Sequence, residues 1–85
     1  MIKRRVIRSR KEKNDITILG NPFEYWNPKY KDDIIDEIET GLYYYYIESE
    51  NNTEIEIKII KINNRKFLTT DSKLIANKLL ELPDC

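Results

Sequence analysis

The stretch Leu42-Tyr43-Tyr44-Tyr45-Tyr46-Ile47-Glu48-Ser49-Glu50-Asn51-Asn52-Thr53-Glu54-Ile55-Glu56-Ile57-Lys58-Ile59 decides the fold. Two β-prone runs, one aromatic and one alternating Glu with Ile, flank a polar Asn-Asn turn, and together they read as a β-hairpin. Its register follows from which residues can share a face. A three-residue loop, Glu50-Asn51-Asn52, sets Ile47 opposite Ile55, Tyr45 opposite Ile57 and Tyr43 opposite Ile59. Asn52 then takes the left-handed conformation that such loops need. A two-residue loop would set Ile47 against Glu56 and mix apolar with charged side chains, so the longer loop is expected. One face carries Tyr43, Tyr45, Ile47, Ile55, Ile57 and Ile59 toward a core. The other carries Tyr44, Tyr46, Glu48, Glu54, Glu56 and Lys58.

Before the hairpin, Asn27-Pro28 reads as a helix start, with Asn as the cap and Pro at the first helical position. Tyr30, Ile34, Ile35 and Ile38 follow helical spacing, Asp and Glu fill the other side, and Gly41 ends the element. A helix over about 28–40 is expected, within the usual boundary error. Further upstream, residues 2–9 are β-prone but rich in arginine, as suits a strand at or near a sheet edge. A turn over 10–14 and a short strand over 15–19 follow, and Gly20-Asn21-Pro22 then breaks regular structure. Phe23-Glu24-Tyr25-Trp26 sets three aromatics in a loop, where they are expected to cover the end of the core.

After the hairpin, Asn63-Asn64 reads as a two-residue turn with positive φ, and Arg65 to Thr69 as a last strand with Phe67 opposite Ile60. Asp71 to Leu82 offers a helical stripe of Leu74, Ile75, Leu79 and Leu82, capped by Asp71, stopped by Pro83 and placed to cover that corner. The order is ββαβββ(α): an α+β fold, with one helix on the main face of an antiparallel sheet and a short C-terminal helix or ordered tail. The 85 residues fit a single domain. Residues 1–14 form its basic strand and turn.

Fifteen basic and fifteen acidic residues balance overall, yet unevenly along the chain. Lys3, Arg4, Arg5, Arg8, Arg10, Lys11 and Lys13 face one acid, Glu12, within residues 1–13, a net of +6; the remainder carries −6. A basic strip of this kind meets an acidic surface, a nucleic acid or the chain's own acids. The basic start is not followed by an apolar run, so neither a signal peptide nor a membrane span is expected. The lone Cys85 allows no intrachain disulfide, which fits a reducing, cytoplasmic setting. The Ile, Lys, Asn and Tyr bias suits a low-GC genome, bacterial or phage.

Without histidine, the Ser-His-Asp and Cys-His arrangements are excluded, and so are the usual zinc sites. Gly20 and Gly41 are the sole glycines, so no phosphate loop exists. Glu56-Ile57-Lys58 imitates part of a metal-dependent nuclease core, a half-motif that any Glu/Lys-rich strand produces. The acids Asp32, Asp33, Asp36, Glu37 and Glu39 read as a solvated helix face rather than a cation site. The expectation is therefore no catalytic residue, no metal, no cofactor and no enzyme. Tyr44 and Tyr46, with Lys58 on their face and Trp26 in its loop, are the candidate contacts of a non-catalytic binding module for a protein or small ligand. Homodimerisation through an exposed strand edge is a natural accompaniment. The alternative is nucleic-acid binding through Arg4, Arg5, Arg8, Arg10 and Lys11, although Glu48, Glu54 and Glu56 would repel phosphate from the tyrosine face. A second alternative is a phage-type inhibitor that sequesters a nucleotide signal or blocks a host enzyme.

The tail carries a resemblance. Lys66-Phe67-Leu68-Thr69-Thr70, then Asp71, then Asn77-Lys78-Leu79-Leu80-Glu81-Leu82-Pro83-Asp84-Cys85 is similar to the closing signature of a family of small bacterial and phage proteins, domain of unknown function 3892. Trp26, the helix with Ile34 and Ile38-Glu39-x-Gly41, and Tyr45-x-Ile47 also resemble that pattern, over roughly residues 16–85. Phe67 stands where the family has Tyr, Lys78 replaces an Asn, and no Gly follows Asp71. The resemblance implies a shared fold and an important closing motif, and it implies no activity.

Overall fold

The computed structural model describes residues 2–71 and 77–85. The fold is α+β, with one α-helix among the described residues and three small sheets. The strands are β1 (Ile2–Arg5), β2 (Arg8–Glu12), β3 (Asp15–Gly20), β4 (Lys29–Tyr30), β5 (Tyr43–Glu48), β6 (Glu54–Glu56), β7 (Lys58–Ile62) and β8 (Arg65–Thr69); α1 is Lys31–Glu39. The sheet orders are β1-β5-β6, β2-β3-β4 and β7-β8.

The hairpin starts in the expected register and then leaves it. Ile47 faces Ile55, Asn52 has φ 58°, and the amide of Ile57 still donates to the Tyr45 carbonyl at 2.9 Å. One residue later the strand changes partner: Lys58 pairs with Thr69 of β8, so Tyr43 never meets Ile59. The N-terminal strand does the same. The Val6 amide donates to Tyr46 at 2.8 Å and the next amide, Ile7, donates to Gly20 at 3.0 Å. Both hand-over points, Val6 and Ile57, are buried to 1% exposure, so apolar burial holds the strands where ladder pairing changes sides. One antiparallel sheet was expected; the structure divides it into three and pairs β1 with β5 in parallel. A parallel neighbour distant in sequence leaves no signal in either strand alone.

Local turn chemistry is read well. Asn63 and Asn64 have φ of 50° and 65°, and Phe67 lies opposite Ile60. The β2–β3 turn is tighter than expected, with Lys13 and Asn14 at φ 50° and 68°, so β2 runs on to Glu12. Helix α1 buries Ile34 and Ile35 and ends where Gly41, at φ 75°, lets the Leu42 amide reach back to the Glu37 carbonyl at 3.0 Å. Its start differs. Asn27-Pro28 is a cis peptide in the preceding loop, and the Asn27 side chain caps the Asn21 amide instead. Lys29 and Tyr30 pair with Leu19 and Ile18 as β4, and this pairing delays the helix to Lys31.

The tail reading falls partly on residues 72–76, outside those described. Lys78–Glu81 is a 3-10 turn capped by Asn77, whose carbonyl oxygen accepts from the Leu79 amide, and Leu79 is fully buried. The tail lies along β2: Ser9 donates from its amide to Pro83 at 3.0 Å and from its hydroxyl to Leu79 at 2.5 Å. The Phe67 corner is screened by cations, with Lys31 at 4.8 Å and Arg65 at 5.4 Å from the ring centre.

Candidate functional site

Two groups of aromatics meet around α1, one closed and one open. In the closed group, β1 carries Arg4 beneath the helix, where its side chain is 6% exposed. The guanidinium lies 3.5 Å from the Tyr43 ring centre, 5.5 Å from Trp26 and 5.7 Å from Tyr45. It donates to the Tyr45 hydroxyl at 2.7 Å, and that hydroxyl donates to Glu37 at 2.5 Å. Burial, reinforced by the bond to Glu37, pushes the Tyr45 phenol well above its ordinary pKa, so it remains a donor. Burial works against the charge on Arg4, but Tyr45 and Glu37 outweigh it and raise its pKa. Among the described residues, no buried side-chain polar atom lacks a partner.

The open group belongs to the β3–β4 loop, residues 21–28. Asn21 braces it: the Asn21 carbonyl and side-chain oxygens accept from Glu24 and Phe23 at 2.9 and 3.1 Å, and its amide nitrogen donates to Arg5 at 2.9 Å. Asn27 closes the loop by accepting from the Asn21 amide at 2.8 Å. Gly20 leaves room for this bond, since a Cβ there would stand 2.5 Å from the Asn27 oxygen and push that side chain aside. The bracing turns Trp26 inward to 6% exposure, edge-on to Tyr45 at 5.7 Å, and turns Phe23 and Tyr25 out to 87% and 89%. Beside them a cleft of about 500 Å³ opens, with Arg4 and Trp26 in its lining and Tyr25, Lys29, Tyr30 and Asp33 around it. Its volume falls within the range of about 300–1,000 Å³ typical of ligand sites. Two other hollows, about 490 and 640 Å³, are lined mainly by charged and loop residues.

The sequence candidates distribute differently from the expectation. Trp26 is a buried prop rather than a projecting contact. Tyr44 and Tyr46 share a face and are half-buried, with ring centres 6.2 Å apart. Lys3, held by Glu54 at 3.1 Å, stands 5.6 Å over Tyr44, and Arg5 pairs with Glu48 at 3.5 Å, so the chain's own ion pairs flank that face. Burial raises the Tyr44 phenol pKa, with Glu54 and Glu56 adding to it. Lys58 is exposed but belongs to the β7–β8 sheet. The basic strip is not one surface: Arg4 is interior, Lys11 donates to the Leu82 carbonyl at 2.6 Å, and Arg10 donates to Cys85 at 3.3 Å. Arg8 stays exposed, without an ion pair among the described residues.

Phe23 and Tyr25, expected with Trp26 to cover the end of the core, stand out in solvent instead, and only Trp26 enters. The signal in the sequence was the loop itself, three aromatics in four residues, which did not say which ring turns inward. No family model, curated protein or solved structure matches the chain. No helix among the described residues is long and apolar enough to cross a membrane, and no group of metal-holding side chains occurs among them.

Proposed function

We propose that the protein is a non-catalytic binding module whose contact surface is the β3–β4 loop, with Phe23 and Tyr25 as its anchors. The observation that carries this is their exposure, 87% and 89%, on a loop cross-braced by two asparagines. An apolar ring in water is unfavourable, and a braced loop cannot fold it away; a partner that covers it gains burial at little ordering cost. This moves the contact from the Tyr44/Tyr46 strand face to the β3–β4 loop and keeps the class of function. The likeness to domain of unknown function 3892 joins the proposal with its closing motif as a brace, for Asn77 donates to Leu68 at 2.9 Å and accepts from Thr70 at 3.2 Å.

A photo-crosslinking amino acid at position 25, compared with the same group at position 46, tests the reading in extract of the source cells. A protein captured from position 25, competed by unlabelled wild type but not by a Phe23→Ser/Tyr25→Ser variant, supports it. Equal capture from both positions, or equal competition by the variant, overturns it.

A further inference from the structure

The partner's chemistry can be read from which charges around the loop are already used. The two cations of the cleft share one carboxylate: Arg4 and Lys29 each stand 3.4 Å from Glu37, one at each oxygen, which leaves a single positive charge over. The next cation, Lys31, pairs with Asp15 at 2.9 Å, an acid that it shares with Arg65 at 3.5 Å. The carboxylates show the opposite. Glu24, Asp32, Asp33 and Asp36 are exposed, and none has an ion pair or side-chain hydrogen bond among the described residues. Asp32, Asp33 and Asp36 follow helical spacing onto one face of α1, and Asp33 also borders the cleft. Glu24 lies between the two outward rings in the chain. The surface thus combines open aromatic rings with four carboxylates that make no ion pair among the described residues, while each nearby cation already touches a carboxylate.

We infer that this surface docks an arginine-bearing basic segment of a protein partner. Arginine matches both halves of the site, since its planar guanidinium stacks on a tyrosine face and its donor fork engages a carboxylate. The chain already contains such an arrangement in its interior, where Arg4 stacks on Tyr43 at 3.5 Å and donates toward Glu37 at 3.4 Å. A phosphate-bearing ligand is disfavoured, because Glu24, Asp32, Asp33 and Asp36 place four negative charges on the loop and the helix face, against the one positive charge left where Arg4 and Lys29 share Glu37. This inference rests on the binding-module reading and adds the partner's chemistry.

The probe is an acetylated, amidated Gly-Ser-Arg-Gly-Arg-Ser-Gly peptide, with lysine-for-arginine and glutamate-for-arginine counterparts, titrated into the full ¹⁵N-labelled chain at low salt. The arginine peptide is expected to shift the resonances of Tyr25, Tyr30 and Asp33 saturably, ahead of the lysine peptide, and the glutamate peptide to leave them in place. Asp33→Asn is expected to weaken binding about two- to fivefold, and Tyr25→Ser by a similar factor of about two to five. Because both side chains are exposed, unchanged amide spectra elsewhere separate lost contact from lost fold. No shift at those residues, equal binding of the glutamate peptide, or unaltered affinity in both variants overturns the inference. Shifts that follow the concentration of the protein alone, with sedimentation as a dimer, overturn it in favour of a second copy. Failure here with crosslinking from position 25 intact removes only the basic partner; failure of both removes the site.

Discussion

The two aromatic groups beside α1 are built from similar residues and differ in what is left unsatisfied. Inside, Tyr43, Tyr45 and Trp26 surround Arg4, and Glu37 closes the set by accepting from both Arg4 and the Tyr45 hydroxyl. Outside, Phe23, Tyr25 and Tyr30 stand 62% or more exposed, and Asp33 beside them has no ion pair among the described residues. The difference separates structural from functional use of the same chemistry. A cage that is complete stabilises; one that is incomplete, on a backbone too well braced to complete itself, is available to a partner.

The sharpest way to break the closed group is Arg4→Ala, which leaves Glu37 beside buried rings without its guanidinium. A loss of about 3 kcal/mol is expected in urea unfolding. Arg4→Met combined with Glu37→Leu should lose clearly less than the two single changes summed, because both charges then leave together. A loss under about 0.5 kcal/mol for Arg4→Ala would place that residue with ordinary surface charges.

The tail obeys the same interior rule. Asn77 is 4% exposed and serves Leu79, Thr70 and Leu68 at once. Asn77→Ala strands those backbone groups, and about 2 kcal/mol should be lost, read as a lower urea midpoint at unchanged slope.

Tyr45 gives the comparison a pH axis. Its phenol titrates higher folded than unfolded, so the folded state holds the proton longer. By linkage, this contribution is fully present below the ordinary tyrosine pKa of about 10 and is lost as pH rises from there through the folded value. Tyr45→Phe should cost about 1 kcal/mol at neutral pH and flatten the alkaline decline in stability, measured as urea midpoints from pH 8 upward. A decline unchanged in the variant would assign it to other groups.

The smallest effect belongs to the open group. Phe23→Ser and Tyr25→Ser should each change stability by no more than about 0.5 kcal/mol, since neither ring is buried. A larger loss in thermal unfolding would mean that these rings serve the fold rather than a partner.

Elements whose cause is local were legible in the residues. The Ile47–Ile55 register follows from alternation and a left-handed Asn52, the Asn63-Asn64 turn from positive φ, and the helix end from Gly41. The candidate site was legible only as a region. Three aromatics in one loop marked the place, but Trp26 goes inward because Tyr45, 19 positions later in the chain, offers it an edge. The basic strip was expected to meet an acidic surface, a nucleic acid or the chain's own acids, and its individual partners were not legible. In the folded protein its members answer to Glu37, Glu54, Glu48 and the tail carbonyls separately.

The amino-acid sequence by itself determined the α+β class, the hairpin face that enters the core and the Ile34, Ile35 and Ile38 part of the helix stripe, though not Tyr30, because each depends on periodicity or on the φ preference of one or two residues. Tertiary structure alone decided the hand-overs at Val6 and Ile57, the delay of the helix to Lys31, the closure of the Arg4 cage and the exposure of Phe23 and Tyr25. Those outcomes depend on contacts between residues such as Arg4 and Glu37 or Ser9 and Pro83, whose free energies arise only after distant segments have met and water has been excluded between them.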